Sequence, residues 1–122
     1  MRHCLVIVAV VTLSACSLPA TEDPSELPTL NEAAQDRRYA AFQAALEYGR
    51  SDQPVLWQVS SAEVRGSVTP IDTVRSRTDG WCRSYEELIA AGSKRYRVVG
   101  IACRKAAQRW LVLDVRPFTE GG

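Results

Sequence analysis

The pattern of apolar and polar residues changes three times along the chain. A mostly apolar segment covers residues 4–15: an apolar run from Cys4 to Val11, closing on Leu13, Ser14 and Ala15 directly before Cys16. A polar stretch with three prolines covers residues 17–28, after which apolar residues recur at helical spacing. From Pro54 onward they alternate with a period of two. These periods predict a short apolar segment, an extended segment, one amphipathic helix and a set of β-strands.

The first apolar run has the layout of a secretory signal peptide. It follows the basic residue Arg2, it is shorter than the roughly 20 apolar residues of a membrane-spanning helix, and small residues precede Cys16. A buried core helix is the alternative. However, the run is apolar on every side and the helix breaker Ser17-Leu18-Pro19-Ala20 follows it at once. We therefore expect residues 1–15 to be a cleaved bacterial export signal.

The segment Leu13-Ser14-Ala15-Cys16 also resembles the lipobox of bacterial lipoproteins. The resemblance implies that the Cys16 sulfur receives a diacylglyceryl group, that the chain is cut before this residue, and that the new amine is acylated, for example with palmitate. Several acyl chains hold a protein to a bilayer without any protein span. Ser17 stands where retention at the inner membrane would require an Asp. The expected location is therefore the outer membrane, on its periplasmic face or at the cell surface.

The predicted tether and helix follow. Residues 16–28 are expected to be the lipidated cysteine and a proline-rich tether. Pro-rich segments are extended, at about 3.1 Å per residue, and act as spacers. Thr29-x-x-Glu32 indicates a capping box, and Gly49 indicates a left-handed stop. The apolar residues that share one helical face are Tyr39, Ala41, Phe42, Ala45 and Leu46. We expect a helix over residues 30–48 that packs on the β region through this face.

The period of two from residue 54 to residue 116 predicts an antiparallel meander. One strand covers Val55, Trp57 and Val59, the next runs from Val64 to Pro70, and residues 81–89, 95–104 and 109–115 supply three more. A four-residue loop at 60–63 would pair Trp57 with Gly66, so that the indole lies over a position without a side chain. The predicted fold class is α+β: an N-terminal amphipathic helix on a small meander of about five strands, sandwich- or barrel-like, in one domain over residues 29–118.

A disulfide between Cys82 and Cys103 follows from this register. Ala91-Gly92-Ser93-Lys94 reads as a two-residue hairpin turn, because Gly92 can take the positive φ of a type II′ turn. Pairing Ala91 with Lys94 places the two cysteines directly opposite each other at a non-hydrogen-bonded pair, with Cα atoms about 4.5 Å apart. Two buried free thiols are the alternative. An oxidising compartment favours the disulfide.

The cysteine count agrees with this assignment. The chain has 4 cysteines. Cys4 would leave with the signal and Cys16 would carry lipid, so that an even pair remains for the folded domain. A leftover odd thiol would have counted against export, and none is left.

Charge excludes one class of partner and suggests another. Of 15 basic residues, Arg2 leaves with the signal, so that 14 basic residues balance 14 acidic ones and the processed chain gives no case for nucleic acid. Residues 65–116 nevertheless hold 11 basic residues against 5 acidic ones. This Arg-rich β region is either a solvated sheet face or a contact for phosphate or carboxylate groups of an envelope protein, peptidoglycan or lipopolysaccharide.

Residues 45–112 resemble the C-terminal surface-antigen domain of the 17 kDa surface antigen-like outer-membrane lipoproteins. The residues that carry the resemblance are Ala45-Leu46-Glu47, Trp57, Gly66-Ser67-Val68-Thr69-Pro70, Cys82-Arg83-x-Tyr85, Gly100-x-Ala102-Cys103-Arg104 and Trp110. The chain departs from the family in two ways: it has no glycine before Gly49 and hence no glycine zipper, and Ala107-Gln108-Arg109 replaces the usual Asp-Gly before the last Trp. The resemblance implies an envelope lipoprotein with a small β domain.

The residues needed for catalysis are scarce. His3 is the only histidine and would leave with the signal, and neither Cys82 nor Cys103 belongs to a Cys-x-x-Cys motif. The carboxylates of Glu86, Glu87 and Asp114 are expected at the surface, and neighbouring strand residues point to opposite faces. We therefore expect no enzyme activity, no cofactor and no metal site.

Two functions remain. The first is an outer-membrane lipoprotein with a structural or interaction role in the envelope. The second is a periplasmic binding or inhibitor module on a lipid anchor, similar to lysozyme inhibitors, with Thr78-Asp79-Gly80 as its candidate loop.

Overall fold

A computed structural model describes residues 27–117 as one helix on one sheet. The elements in chain order are α1 (Glu32–Tyr48), β1 (Val55–Val59), β2 (Val64–Ser76), β3 (Gly80–Ala91), β4 (Lys94–Lys105) and β5 (Arg109–Pro117). The five strands pair antiparallel in that same order. The predicted α+β class and the meander are confirmed. The sheet is open, with β1 and β5 at its edges, so it is neither a closed barrel nor a sandwich of two sheets.

Helix α1 begins at a different cap from the predicted one. The side chain of Asn31 accepts a 2.8 Å hydrogen bond from the amide of Ala34, so Asn31 is the N-cap and Glu32 is the first helical residue. The predicted capping box that starts at Thr29 is therefore wrong. Asparagine is among the strongest N-cap residues, and it lies directly before the helical segment.

The end of α1 lies where the sequence predicts it, but the backbone there is not left-handed. Gly49 has φ −69° and ψ 143°, which is extended, and its amide donates to the Ala45 carbonyl at 2.8 Å. A Cβ at this position would lie 2.3 Å from the same oxygen. Glycine is required here by close contact rather than by a positive φ.

The helix packs on the sheet through small and large apolar residues. Phe42 and Leu46 contact Val68, Tyr85 and Trp110 in one cluster, in which the Phe42 and Tyr85 rings meet edge to face with centroids 5.2 Å apart. A second cluster contains Leu30, Ala34, Ala41, Trp57, Val64 and Ile89. Burying a side chain such as Leu46 contributes about 1.5–3 kcal/mol.

Tyr39 is not part of either cluster. It is 48% exposed at the border of the helix, and its hydroxyl accepts a hydrogen bond from Arg109 Nε at 3.1 Å. The prediction that Tyr39 shares the buried face is wrong, because that face is narrow and is filled by alanines on the side nearest the sheet.

The predicted strand register is confirmed at three places. Trp57 pairs with Gly66, Ala91 with Lys94, and Cys82 with Cys103. Gly92 has φ +61°, as a type II′ turn requires at its first central position. A Cβ at Gly66 would lie 2.7 Å from ring atoms of Trp57, so the indole does occupy the space over the glycine.

Strand β2 continues past its predicted end at Pro70 as far as Ser76. The β2–β3 register shifts between Pro70 and Thr73, and pairing then resumes. Strand β1 pairs only with Val64 to Val68, so Pro70 lies on a free edge of β2, where its missing N–H costs no ladder bond.

Candidate functional site

Helix α1 covers one face of the sheet and leaves the other face uncovered. Trp57, Gly66 and Ile89 lie in one row across β1, β2 and β3, and both Trp57 and Ile89 contact the helix. Because side chains alternate along a strand, the neighbours of these residues point away from α1. We call this side the uncovered face. Its two rows nearest the β3–β4 turn are Gln58, Arg65, Ala90 and Arg95, then Leu56, Ser67, Leu88 and Arg97.

Large apolar side chains lie exposed on the uncovered face. Leu56 is 76% exposed, and Leu88 and Ile101 are each more than 40% exposed. Leu56 and Leu88 lie in one row across β1, β2 and β3, and Ile101 lies two rows away. Single exposed leucines are ordinary, but several exposed apolar side chains on one sheet face are typical of a contact surface.

Arg65 and Arg95 flank Ala90 on this face. Arg65 pairs with Ala90 across β2–β3, and Ala90 pairs with Arg95 across β3–β4, so the three side chains stand side by side. Two shallow depressions of about 460 and 350 Å³ share these three residues as lining. Within residues 27–117 neither guanidinium has a hydrogen-bond or ion-pair partner. The row therefore presents two uncompensated cations with a methyl group between them.

Other arginines of the Arg-rich β region form contacts that stabilise the fold. Arg83 is buried, and its Nη1 donates to the carbonyl oxygens of Leu46 at 2.9 Å and Gly49 at 2.8 Å, with a longer bond to Ala45 at 3.3 Å. It thus satisfies the free carbonyls at the end of α1, where a cation is also favoured by the helix dipole. Burial lowers the pKa of Arg83.

Arg104 binds the same end of the helix. Its Nε and Nη2 each lie 3.0 Å from a carboxylate oxygen of Glu47, and the indole of Trp110 donates to Glu47 at 2.8 Å. These donors lower the pKa of Glu47, Arg104 first and Trp110 second. Polar or ring contacts also engage Arg75, Arg97, Lys105, Arg109 and Arg116.

Cys82 and Cys103 form the predicted disulfide. Their sulfur atoms are 2.13 Å apart and their Cα atoms 4.0 Å apart, close to the spacing expected from the register. Each cysteine immediately precedes one of the two arginines that hold the helix end. The bridge therefore joins β3 and β4 at the point where both strands bind α1.

A cleft of about 390 Å³ opens between α1 and β5. Its aromatic walls come from Tyr39, Phe42, Tyr85 and Trp110. On one wall Arg38 donates two 2.7 Å hydrogen bonds to the two carboxylate oxygens of Glu87, which is 2% exposed. Burial raises the pKa of Tyr85 to about 12, with the Glu87 charge adding to the effect. The cleft holds a neutralised ion pair among aromatic rings.

The burial of Glu87 corrects the prediction that this carboxylate is at the surface. Glu86 and Glu87 do point to opposite faces, as predicted, because Glu86 pairs with Arg97 on the uncovered face. Asp114 is exposed and pairs with Arg116 at 3.2 Å. The structure does not bring the three carboxylates together.

The candidate inhibitor loop is held by its own contacts. The Asp79 carboxylate accepts from the Thr78 hydroxyl at 3.0 Å and pairs with Lys105 at 3.2 Å. These contacts, that with Thr78 first, lower the pKa of Asp79. Gly80 is the first residue of β3 and has φ +75°.

Cys16, the predicted lipidation site, lies outside the described residues, as do the predicted export signal and the predicted tether up to residue 26. In the part of the chain that is described, no helix is both long and apolar enough to cross a membrane. No group of three or more His, Cys, Asp or Glu side chains in residues 27–117 is placed to hold a metal ion.

Sequence reasoning noted the excess of arginine in the strands but did not single out Arg65 and Arg95. The signal for them is the β2–β3 register, which was not among the predicted pairings: once β2, β3 and β4 are aligned, Arg65 and Arg95 are both neighbours of Ala90. Comparison of the chain with protein-family models, with curated proteins and with solved structures found no significant match.

Proposed function

We propose that this protein is a non-catalytic lipoprotein of the bacterial outer membrane, anchored through Cys16, and that the uncovered face of its sheet is the surface by which it contacts the envelope. The observation that carries the proposal is that Leu56 and Leu88 are exposed on that face beside Arg65 and Arg95, which have no polar partner within residues 27–117. Such a surface is costly to leave in water and is typical of an interaction site.

The opposite side of the sheet supports the same proposal. It is filled by α1, where Arg83 and Arg104 hold the end of the helix and Arg38 neutralises Glu87. The disulfide suits an oxidising compartment such as the periplasm. The candidate partners are an envelope protein, peptidoglycan or lipopolysaccharide.

A non-catalytic role is supported by the state of the carboxylates. Glu86, Glu87 and Asp114 each form an ion pair with an arginine, and general acid–base catalysis needs a carboxyl group that can exchange a proton with a substrate. The inhibitor alternative would use the Thr78-Asp79-Gly80 loop. There the Asp79 carboxylate already binds Thr78 and Lys105, so nothing in the loop favours that role.

The anchor is tested by metabolic labelling with palmitate in bacteria that express the full chain. The wild type should incorporate label and fractionate with the outer membrane, whereas Cys16→Ser should lose both properties. Cys4→Ser is the matched control, and it should keep the label because Cys4 would be removed with the signal. Ser17→Asp should shift the protein toward the inner membrane. Label that survives Cys16→Ser would refute the anchor.

The contact surface is tested by photo-crosslinking in the same cells. A crosslinking residue at Leu56 should give adducts with envelope components, whereas one at Tyr48 should not. Both positions are highly exposed, at 76% and 80%, but Tyr48 lies at the end of α1, away from the uncovered face. Equal yields from the two positions would contradict the proposed surface.

A further inference from the structure

We propose that Arg65 and Arg95 together bind the phosphate of an anionic lipid headgroup, in the leaflet to which the chain is anchored. This inference rests on the proposed function, because it names the occupant of the uncovered face. It goes further in assigning two residues and a ligand class to that face.

The geometry of the row suits one phosphate between two guanidinium groups. Adjacent strands lie about 4.8 Å apart, so the Cα atoms of Arg65 and Arg95 are about 10 Å apart across Ala90. Ala90 fills little of that interval, and long arginine side chains can lean over it from both sides. Planar guanidinium groups bind phosphate oxygens in pairs, which favours arginine over lysine at such a site.

The local charge is positive and is not compensated by a described acidic side chain. Arg65 and Arg95 have no polar partner within the described residues, while Arg97 in the next row is paired with Glu86. Among the described residues, Glu63 is the one acidic residue that lines either depression, and it forms no ion pair with either arginine there. An anionic ligand would therefore meet two free cations with one carboxylate at the rim.

The apolar residues beside the pair distinguish a lipid from a soluble anion. Leu56 and Leu88 belong to the next row of the same face and line the larger depression together with Arg65 and Arg95. An inorganic phosphate or a hydrophilic acidic segment would leave these leucines in water. A lipid places its phosphate near the cations and its glycerol and upper acyl region against the leucines, as in interfacial binding.

The expected effect is large enough to measure. One basic residue near an anionic membrane surface favours the docked state by about fivefold, so two favour it by about thirtyfold in total. Salt should weaken docking, because the Debye length falls to about 3 Å at 1 M ionic strength.

The test is the reactivity of individual arginines in the full chain reconstituted into vesicles. One set of vesicles is phosphatidylcholine alone, and the other contains phosphatidylglycerol as well. An arginine-specific dicarbonyl reagent is added and modification is located by mass spectrometry. We expect Arg65 and Arg95 to react at least threefold more slowly in the anionic vesicles. Arg37 in α1 and Arg77 in the β2–β3 turn are also exposed, lie outside the two arginine positions of the row, and should not change.

Two variants make the test specific. Arg65→Gln should restore the reactivity of Arg95 in anionic vesicles, because one guanidinium holds a headgroup poorly, whereas Arg37→Gln should leave Arg95 protected. The inference is overturned if the reaction rates of Arg65 and Arg95 are the same in the neutral and the anionic vesicles. It is also overturned if the rates of all four arginines fall by the same factor in the anionic vesicles. A third contrary outcome is that inorganic phosphate, or an envelope protein extract, added to neutral vesicles protects Arg65 and Arg95 as strongly as the anionic vesicles do.

Failure of this inference can be told apart from failure of the anchor. Flotation reports whether the chain is attached to the vesicles, and the mass of the N-terminal peptide reports whether Cys16 carries lipid. A chain that floats and carries lipid but shows no protection refutes the headgroup site alone.

Discussion

Arg104 holds the carboxylate of Glu47 with two hydrogen bonds of 3.0 Å, one from Nε and one from Nη2. The two residues lie 57 positions apart in the chain, at the end of α1 and near the end of β4. Because Arg104 follows Cys103 directly, the disulfide and the ion pair fix the same part of β4 from its two faces. The end of the helix is thus attached to the part of the sheet that the disulfide crosslinks.

Acid should loosen this attachment. The pKa of Glu47 in the folded chain lies below its usual value of 4.5, because Arg104 and Trp110 donate to the carboxylate. A carboxyl group whose pKa is lowered by folding stabilises the folded state at pH values above its usual pKa. This stabilisation is lost as the pH falls through the pKa of the folded state. We expect the free energy of unfolding, measured with urea, to fall between about pH 5 and pH 2. Glu47→Gln should show a smaller fall than the wild type, and an equal pH dependence in both would contradict the prediction.

Removal of the disulfide should destabilise the domain strongly. Closing a loop with a sequence separation of 21 contributes on the order of 3 kcal/mol. Cys82→Ser and Cys103→Ser should each lower the Tm, and the double variant should be little worse than either, because one substitution already breaks the bond. Alkylation of the denatured, unreduced protein should label neither cysteine, and the finding of two reactive thiols would refute the bridge.

The ion pair between Arg38 and Glu87 should respond asymmetrically to substitution. The side chain of Glu87 is 3% exposed and that of Arg38 is 27% exposed. Arg38→Met leaves a buried carboxylate without a partner and should cost about 3–5 kcal/mol, whereas Glu87→Leu leaves a cation that can reach water and should cost less. The double variant Arg38→Met/Glu87→Leu should recover most of the lost stability. Urea unfolding measures all three, and additive losses would show that the pair is not coupled.

The turn between β4 and β5 contains strain that glycine should relieve. Ala107 and Gln108 have φ values of 64° and 58°, in the left-handed region that costs residues with a Cβ about 1–2 kcal/mol. Gln108→Gly should therefore raise the free energy of unfolding by about 0.5–1 kcal/mol, after the entropy that glycine loses on folding. Ala106→Gly is the matched control, since Ala106 has no positive φ and should lose stability. A destabilised Gln108→Gly would contradict this account.

Most errors in the sequence-based prediction of the fold concern the ends of elements. A threonine and an asparagine both precede the helical pattern; Asn31 is the cap, and Leu30 before it is buried in the cluster that contains Trp57 and Ile89. Similarly, Pro70 reads as the end of a strand. It is tolerated inside β2 because β1 is too short to pair with it, which is a fact about the sheet rather than about the residue.

The candidate site was only partly accessible from the sequence. The excess of arginine in the strands was visible, but not its division into structural and free residues. Arg83 and Arg65 both lie in strands and differ only in whether a helix end or water lies above them. Glu87 was expected at the surface because a lone carboxylate rarely is buried, and its partner Arg38 lies 49 positions away in the helix.

The sequence by itself determined the pairing within two hairpins, β1–β2 and β3–β4. An antiparallel register is set by its turn, so Gly92 in the β3–β4 turn is enough to place Cys82 opposite Cys103, and the 60–63 loop is enough to place Trp57 over Gly66. Only the tertiary structure decided what each face does, because α1 can cover one side of the sheet and the sequence does not say which. The side that it covers buries Arg83 and Glu87, while on the other side Leu56 and Leu88 are exposed and Arg65 and Arg95 have no polar partner within the described residues.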